Sequence, residues 1–159
     1  MAGFMEFLTS KTSSYTVEKP WGKEIWIAKG SPDFPYVLKE IRINTGSKSS
    51  LHFHIKKQET NVVVQGLGKL EYSQKKVDVE KYANGSWTEK DMDEVLDSIK
   101  FIDLKPESVF HMMPGMLHRV YSDDNILMTE CSSLEIDDVI RVQDDSGRGD
   151  GRISSEHKN

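Results

Sequence analysis

The sequence predicts an all-β fold, a sandwich or barrel built as one domain. Two observations predict it. Short runs rich in β-branched, aromatic and alternating apolar residues recur along most of the chain, and turn residues separate them. A third observation agrees: only one segment carries helix signals. At 159 residues the chain is the length of one domain and can bury about two-thirds of its unfolded surface.

In chain order, strands are expected at 24–29, 36–43, 50–54, 60–65, 69–73, 99–104, 108–112, 117–121 and 126–130. Gly30, Pro32 and Pro35 precede the second, and Asn44 and Gly46 follow it. Gly66 and Gly68 divide the fourth from the fifth. Pro106, then Pro114 and Gly115, then Asp123 and Asp124 mark the later turns. Strands this short at this spacing suit a sandwich or barrel. The helical segment begins at Thr88, with Asp91 at the third helical position, which is a capping-box pattern. It lies in an insertion at about 74–98, expected as a solvated excursion, with a lid over a pocket as the sharper reading. Residues 1–16 are rich in Ser and Thr and are expected as a flexible N-terminal arm. The domain then runs over 17–148, and the polar, glycine-rich 149–159 is expected as a flexible C-terminal tail.

A net charge of −5 argues against a nucleic-acid binder driven by phosphate neutralisation. The single cysteine, Cys131, leaves no intrachain disulfide and suits a reducing compartment. No apolar run reaches the length of a membrane span, and the first residues lack the basic start of a secretory signal. The expectation is a cytoplasmic protein with no membrane or nucleic-acid partner.

The chemistry concentrates in two stretches. Gly46 is followed by His52, His54, Glu59 and Gly66; Pro114-Gly115-Met116-Leu117 leads into His118. In a strand, residues two apart share a face, so His52 and His54 present two imidazoles side by side. A turn at 55–58 lets Glu59 reach back, and His118 arrives from a distant hairpin. Three imidazoles and one carboxylate make a complete ligand set for one divalent transition metal ion; Zn, Mn, Fe, Ni and Co all suit it.

Strand parity extends the reading. With Glu59 inward, Asn61, Val63 and Gln65 face inward too. Val62 and Val64 then face outward, as do Leu51 and Phe53, an apolar face that another part of the chain or a second subunit must cover. A homodimer is expected. Lys39 alternates with Val37, Ile41 and Ile43, so its ammonium either finds an anion inside or snorkels to water.

The metal pattern, Gly-x5-His-x-His-x4-Glu-x6-Gly, resembles the first motif of the cupin superfamily. Gly115 and His118 resemble part of its second. That resemblance implies a single-domain double-stranded β-helix, or jelly-roll barrel, with a short helical insertion. A narrower resemblance covers about 17–148. Lys19-Pro20-Trp21-Gly22, Lys39-Glu40-Ile41-Arg42-Ile43, Pro114-Gly115-Met116-Leu117-His118-Arg119, Glu130 and the closing 136–148 stretch look like type II mannose-6-phosphate isomerases. His52 stands where those isomerases usually carry glutamine. The resemblance implies a small-molecule substrate, a phosphorylated sugar. Aldose and ketose phosphates would interconvert through a metal-stabilised enediolate. Glu130 is then the candidate base, and Lys39, Arg141 and Arg148 are candidates for holding the phosphate. For Arg141 and Arg148 a structural pairing with Asp138, Asp144 or Asp145 stands beside that role. Two other readings remain open: a non-catalytic cupin binding a sugar or sugar nucleotide, and an Fe(II)-dependent dioxygenase.

Overall fold

The computed structural model describes residues 15–31 and 34–157. The arm expected over 1–16 lies, up to residue 14, outside the described residues. Tyr15 and Thr16 already belong to the first strand.

Among the described residues, nine strands form one antiparallel sheet that curls on itself: β1 (Tyr15–Lys19), β2 (Gly22–Lys29), β3 (Val37–Ile43), β4 (Leu51–Phe53), β5 (Glu59–Ser73), β6 (Ile99–Leu104), β7 (Val109–Met112), β8 (His118–Ser132) and β9 (Ile140–Gln143). The spine is a pair of 15-residue strands, β5 and β8, that run antiparallel along each other. β8 also pairs with β3 and β4, and β5 with β6 and β7, so both walls meet at this pair.

The register explains where chemistry sits. Across β3, β8 and β5, residues align in rungs: Val37–Ser132–Glu59, Lys39–Glu130–Asn61 and Ile41–Met128–Val63. The first two rungs are polar apart from Val37, and the third opens an apolar core containing Trp21, Ile43, Leu70, Phe110 and Ile126. Alternation at period two therefore places a charged layer and a greasy layer on one inner surface.

Two expected turns are bulges inside long strands. The break at 66–68 is a run of register shifts in β5, and Asp123 and Asp124 lie within β8. The shifts also defeat simple parity: Gln65, expected inward, is exposed. Gly66 carries the bend with φ +89°, and a Cβ there would sit 2.3 Å from the Asp124 carbonyl oxygen. Gly66→Ala is expected to cost more than about 1 kcal/mol, because alanine meets both a left-handed φ and backbone. Urea denaturation measures it.

The insertion holds two helices, α1 (Val79–Ala83), capped by Asp78, and α2 (Glu89–Leu96), whose Thr88–Asp91 capping box forms as the sequence predicts. It is not a solvated excursion. Val77 and Val95, with Tyr82 and Trp87, bury the outer face of β4, where Leu51 and Phe53 are fully covered. Nor does it lie over the cavity described below, whose wall contains no residue of 74–98. Gly115 joins this layer to the site: its N–H donates to the His54 carbonyl at 2.8 Å, and its own carbonyl accepts from Val77 N–H at 2.9 Å.

No described helix is long and apolar enough to cross a membrane.

Candidate metal centre

His52 on β4 pairs directly with His118 on β8, and His54 follows two residues later on the same face. The three imidazoles offer ligand atoms that all lie within 4.8 Å of one another. Each ring is oriented by a backbone carbonyl. His52 Nδ1 meets Ser50 O at 2.9 Å, His118 Nδ1 meets Met116 O at 2.9 Å, and His54 Nδ1 bonds to Asp138 O. A carbonyl can only accept, so each Nδ1 carries a proton, and in the neutral ring each Nε2 keeps its lone pair. His54 Nε2 and His118 Nε2 are buried without a hydrogen bond.

Glu59 sharpens the point. Its Oε1 lies 3.2 Å from His118 Nε2 and its Oε2 3.5 Å from His54 Nε2. With the rings neutral and protonated at Nδ1, lone pair faces lone pair, an arrangement that a cation between them reconciles. The residues therefore fit a divalent metal, with His52, His54 and His118 as imidazole ligands and Glu59 in reach as the carboxylate. Burial pushes the Glu59 carboxyl up, but the Lys57 ammonium at 2.5 Å overrides it and holds Glu59 well below the usual carboxylate range. Burial, then the neighbouring His118 and His54, push His52 well below its ordinary value. Glu24 is lowered as well, where Lys39 and Lys19 outweigh burial.

These shifts share a sign. A group whose value falls on folding favours the folded state above its unfolded value and loses that contribution as pH drops. In metal-stripped protein, urea midpoints are expected to fall on acidification below 6.5 through His52, and again below 4.5 through Glu59 and Glu24. A midpoint that rose between pH 8 and 5 would contradict this.

Asp138 braces the centre. Its carboxylate accepts the backbone N–H groups of Ile55, Lys56 and Lys57 at 2.9, 2.6 and 2.8 Å, and its carbonyl orients His54. Three N–H donors lower its carboxyl against burial. Asp138 was a candidate partner for Arg141 or Arg148; the turn between His54 and Glu59 occupies it instead. Asp138→Ala is expected to weaken metal binding about 10- to 100-fold, as read by competition with a chelating dye.

The cavity beside the histidines measures about 110 Å³. Its floor is Trp21, Ile41, Phe110, Val120 and Met128. Its wall is a chain of alternating charges. Lys57 Nζ bridges Glu59 at 2.5 Å and Glu130 at 2.9 Å; Lys39 Nζ lies 3.5 Å from Glu130 and 3.8 Å from Glu24; Lys19 lies 3.9 Å from Glu24 and 2.8 Å from Glu156. Lys39 thus finds its anions inside, and its ammonium also sits 4.4 Å over the Trp26 ring. Glu130 is inward and buried. Arg141 lines the cavity, with its guanidinium on the carbonyls of Gly149 and Gly151. Arg148 also lines it, yet its Nε is 2.7 Å from Asp144, the structural pairing expected as the alternative. Asn61 Oδ1 and Arg141 Nε are buried in this wall without partners.

Sequence reading missed Lys19, Glu24, Trp26 and Glu156 as site residues, and left Lys57 inside the turn at 55–58. Lys57 is buried and Lys56 exposed. Parity held the signal, because Lys57 is two residues from Glu59 and shares its face.

No family model and no curated protein matches the sequence. Solved structures do resemble it. A Lactobacillus farciminis oxalate decarboxylase superposes with TM-score 0.59 at 18% identity, over 82% of this chain and 34% of that one. The Bacillus subtilis oxalate decarboxylase, described with Mn(II) centres, gives 0.59 at 13% identity over 82% and 30%. A Klebsiella pneumoniae protein with a double-stranded β-helix domain gives 0.58 at 10% identity over 87% and 98%. The chain spans about a third of the decarboxylases' length. By fold, the curled antiparallel sheet with histidines on its inner face is a double-stranded β-helix.

Proposed function

We propose that this cupin is a metal-dependent isomerase of phosphorylated sugars, of mannose-6-phosphate isomerase type. The observation that carries the metal is the convergence of three imidazoles whose Nδ1 atoms are already committed to carbonyls. The manganese of one structural neighbour supports it by analogy. When bound, the metal supplies Lewis-acid polarisation of a substrate carbonyl and its adjacent hydroxyl. Glu130 lies in the wall as the candidate base, taking a proton from the carbon beside the carbonyl and returning it to the neighbouring one. Lys57, whose burial is outweighed by Glu130 and Glu59, has its value raised and stays an ammonium. It can donate to the charge that develops on oxygen. Lys39, Arg141 and Arg148 line the same cavity and are cations available to the phosphate.

Interconversion of mannose 6-phosphate and fructose 6-phosphate, run with each of several divalent metals, tests the activity. Metal-dependent turnover that disappears in Glu130→Gln, with metal content retained, is the expected result. One observation favours a second reading, binding without turnover: Glu130 Oε1 is held by two lysines at 2.9 and 3.5 Å. No turnover with any metal would leave that reading in place. The proposal includes a homodimer, through the exposed Val62, Val64 and Val109, of which Val62 and Val109 are direct partners across β5 and β7. Light scattering at the monomer mass would remove it.

A further inference from the structure

The cavity is narrowed by residues that lie far along the chain from its strands. Residues 149–157, expected as a flexible tail, run back across it, and Gly151, Arg152, Ile153 and His157 form part of its wall. No residue from 151 to 157 is fully buried, and only turns occur there. Polar contacts and two ring contacts fasten this strap. Gly151 N–H donates to the Val139 carbonyl at 2.8 Å, and the Arg141 guanidinium holds the carbonyls of Gly149 and Gly151. The His157 ring lies 6.0 Å from Tyr15 and 5.9 Å from Trp26. At its tip, Glu156 places one carboxylate oxygen 2.8 Å from Lys19 Nζ and the other 3.3 Å from Arg148 Nη1. The side chains of both cations are only 8% exposed.

Two mismatches surround that carboxylate. The cavity wall carries six cations, Lys19, Lys39, Lys57, Arg141, Arg148 and Arg152, against three carboxylates, Glu24, Glu59 and Glu130. It also encloses only about 110 Å³, where small-molecule sites run to about 300–1,000 Å³. Asp144, on Arg148 at 2.7 Å, is a fourth carboxylate; with Glu156 set aside, six cations face four carboxylates, a surplus of two that suits a dianion better than one carboxylate. A segment with no fully buried residue and no helix or strand of its own sits at the low end of local stability.

We propose that Lys19 and Arg148 form an oxyanion subsite, filled here by Glu156, and that a ligand's phosphate group takes the place of Glu156 and lifts the strap. The subsite assigns Lys19 and Glu156 roles in recognition, and it gives the cavity a way to reach the volume a sugar phosphate needs. It rests on the phosphorylated-sugar reading for the ligand's class alone. The subsite itself is made by protein groups, so it is tested without the metal and without turnover.

Calorimetry with inorganic phosphate, on metal-stripped protein, reads the subsite. If the strap is seated in about nine molecules of ten, Glu156→Gln tightens phosphate about tenfold. Lys19→Gln weakens it by roughly tenfold or more, as loss of a charge-assisted bond does. Glycerol phosphate is expected to bind as inorganic phosphate does, and acetate more weakly. Trypsin cleavage after Arg152 reads the strap: phosphate should speed it in the unaltered protein, and Glu156→Gln should be fast without phosphate. Unchanged phosphate affinity in a cooperatively melting Glu156→Gln overturns the subsite. Binding of acetate but not phosphate overturns the ligand class. Cleavage indifferent to phosphate overturns the displacement. A failure of the isomerase reading alone would leave phosphate binding intact.

Discussion

His54→Ala is expected to empty the metal centre, with purified protein losing nearly all of its metal by elemental analysis. His54 is 1% exposed, and its ring is fixed by Asp138 O on one side and aimed at Glu59 on the other. Loss of a partner outside the ligand set typically costs 10- to 100-fold in affinity, so loss of a ligand should exceed about 100-fold. His52→Ala and His118→Ala should follow, since the three rings pack within 4.3 to 5.5 Å of one another and form one cluster. His111→Ala is the control. That histidine bonds to Thr60 Oγ1 on the exposed side of β5 and β7 and should change nothing. Metal retained at full stoichiometry in His54→Ala and His118→Ala would refute the centre.

How much of this was legible in the sequence follows from range. The His52–His54 pair and its turn to Glu59 are local, and period-two alternation displays them directly. Thr88 and Asp91 are local as well, and their capping box forms as read. What failed was whatever depended on pairing across the sheet. Gly66 and Gly68 look like turn residues in a short window, but the partner strand β8 carries β5 through them as a bulge. The cover over Leu51 and Phe53 comes from a segment more than 20 residues away, whose apolar residues Val77, Tyr82, Trp87 and Val95 lie too far apart to show a stripe. Among the site residues, Lys39 and Glu130 were singled out separately, yet only the β3–β8 register makes them neighbours. Glu156 carried no signal, because its partners Lys19 and Arg148 belong to β1 and to a loop, and no periodicity links the three.

Lys57→Met is expected to produce the largest loss of stability in the metal-free protein. Lys57, Glu59 and Glu130 each have only 6% of their side chains exposed, and one ammonium serves both carboxylates at 2.5 and 2.9 Å. Removing one partner of a buried pair costs about 3–5 kcal/mol, because the charge left behind has neither water nor counterion. Here two carboxylates are affected, but unequally. Glu130 keeps Lys39 at 3.5 Å, whereas Glu59 keeps no lysine or arginine, only the Asn61 amide at 3.3 Å and the imidazole nitrogens of His54 and His118. The consequence is specific. A divalent ion at the histidines would become the sole counter-charge for Glu59, and it would no longer compete with an ammonium for the same oxygen. Saturating metal should therefore raise the urea midpoint of Lys57→Met by more than it raises that of the unaltered protein. Equal metal-induced shifts in both proteins would mean that Glu59 is not a ligand and that the three imidazoles act alone. A loss below about 1 kcal/mol without metal would place the lysine in the solvated class of ion pairs, contrary to its burial.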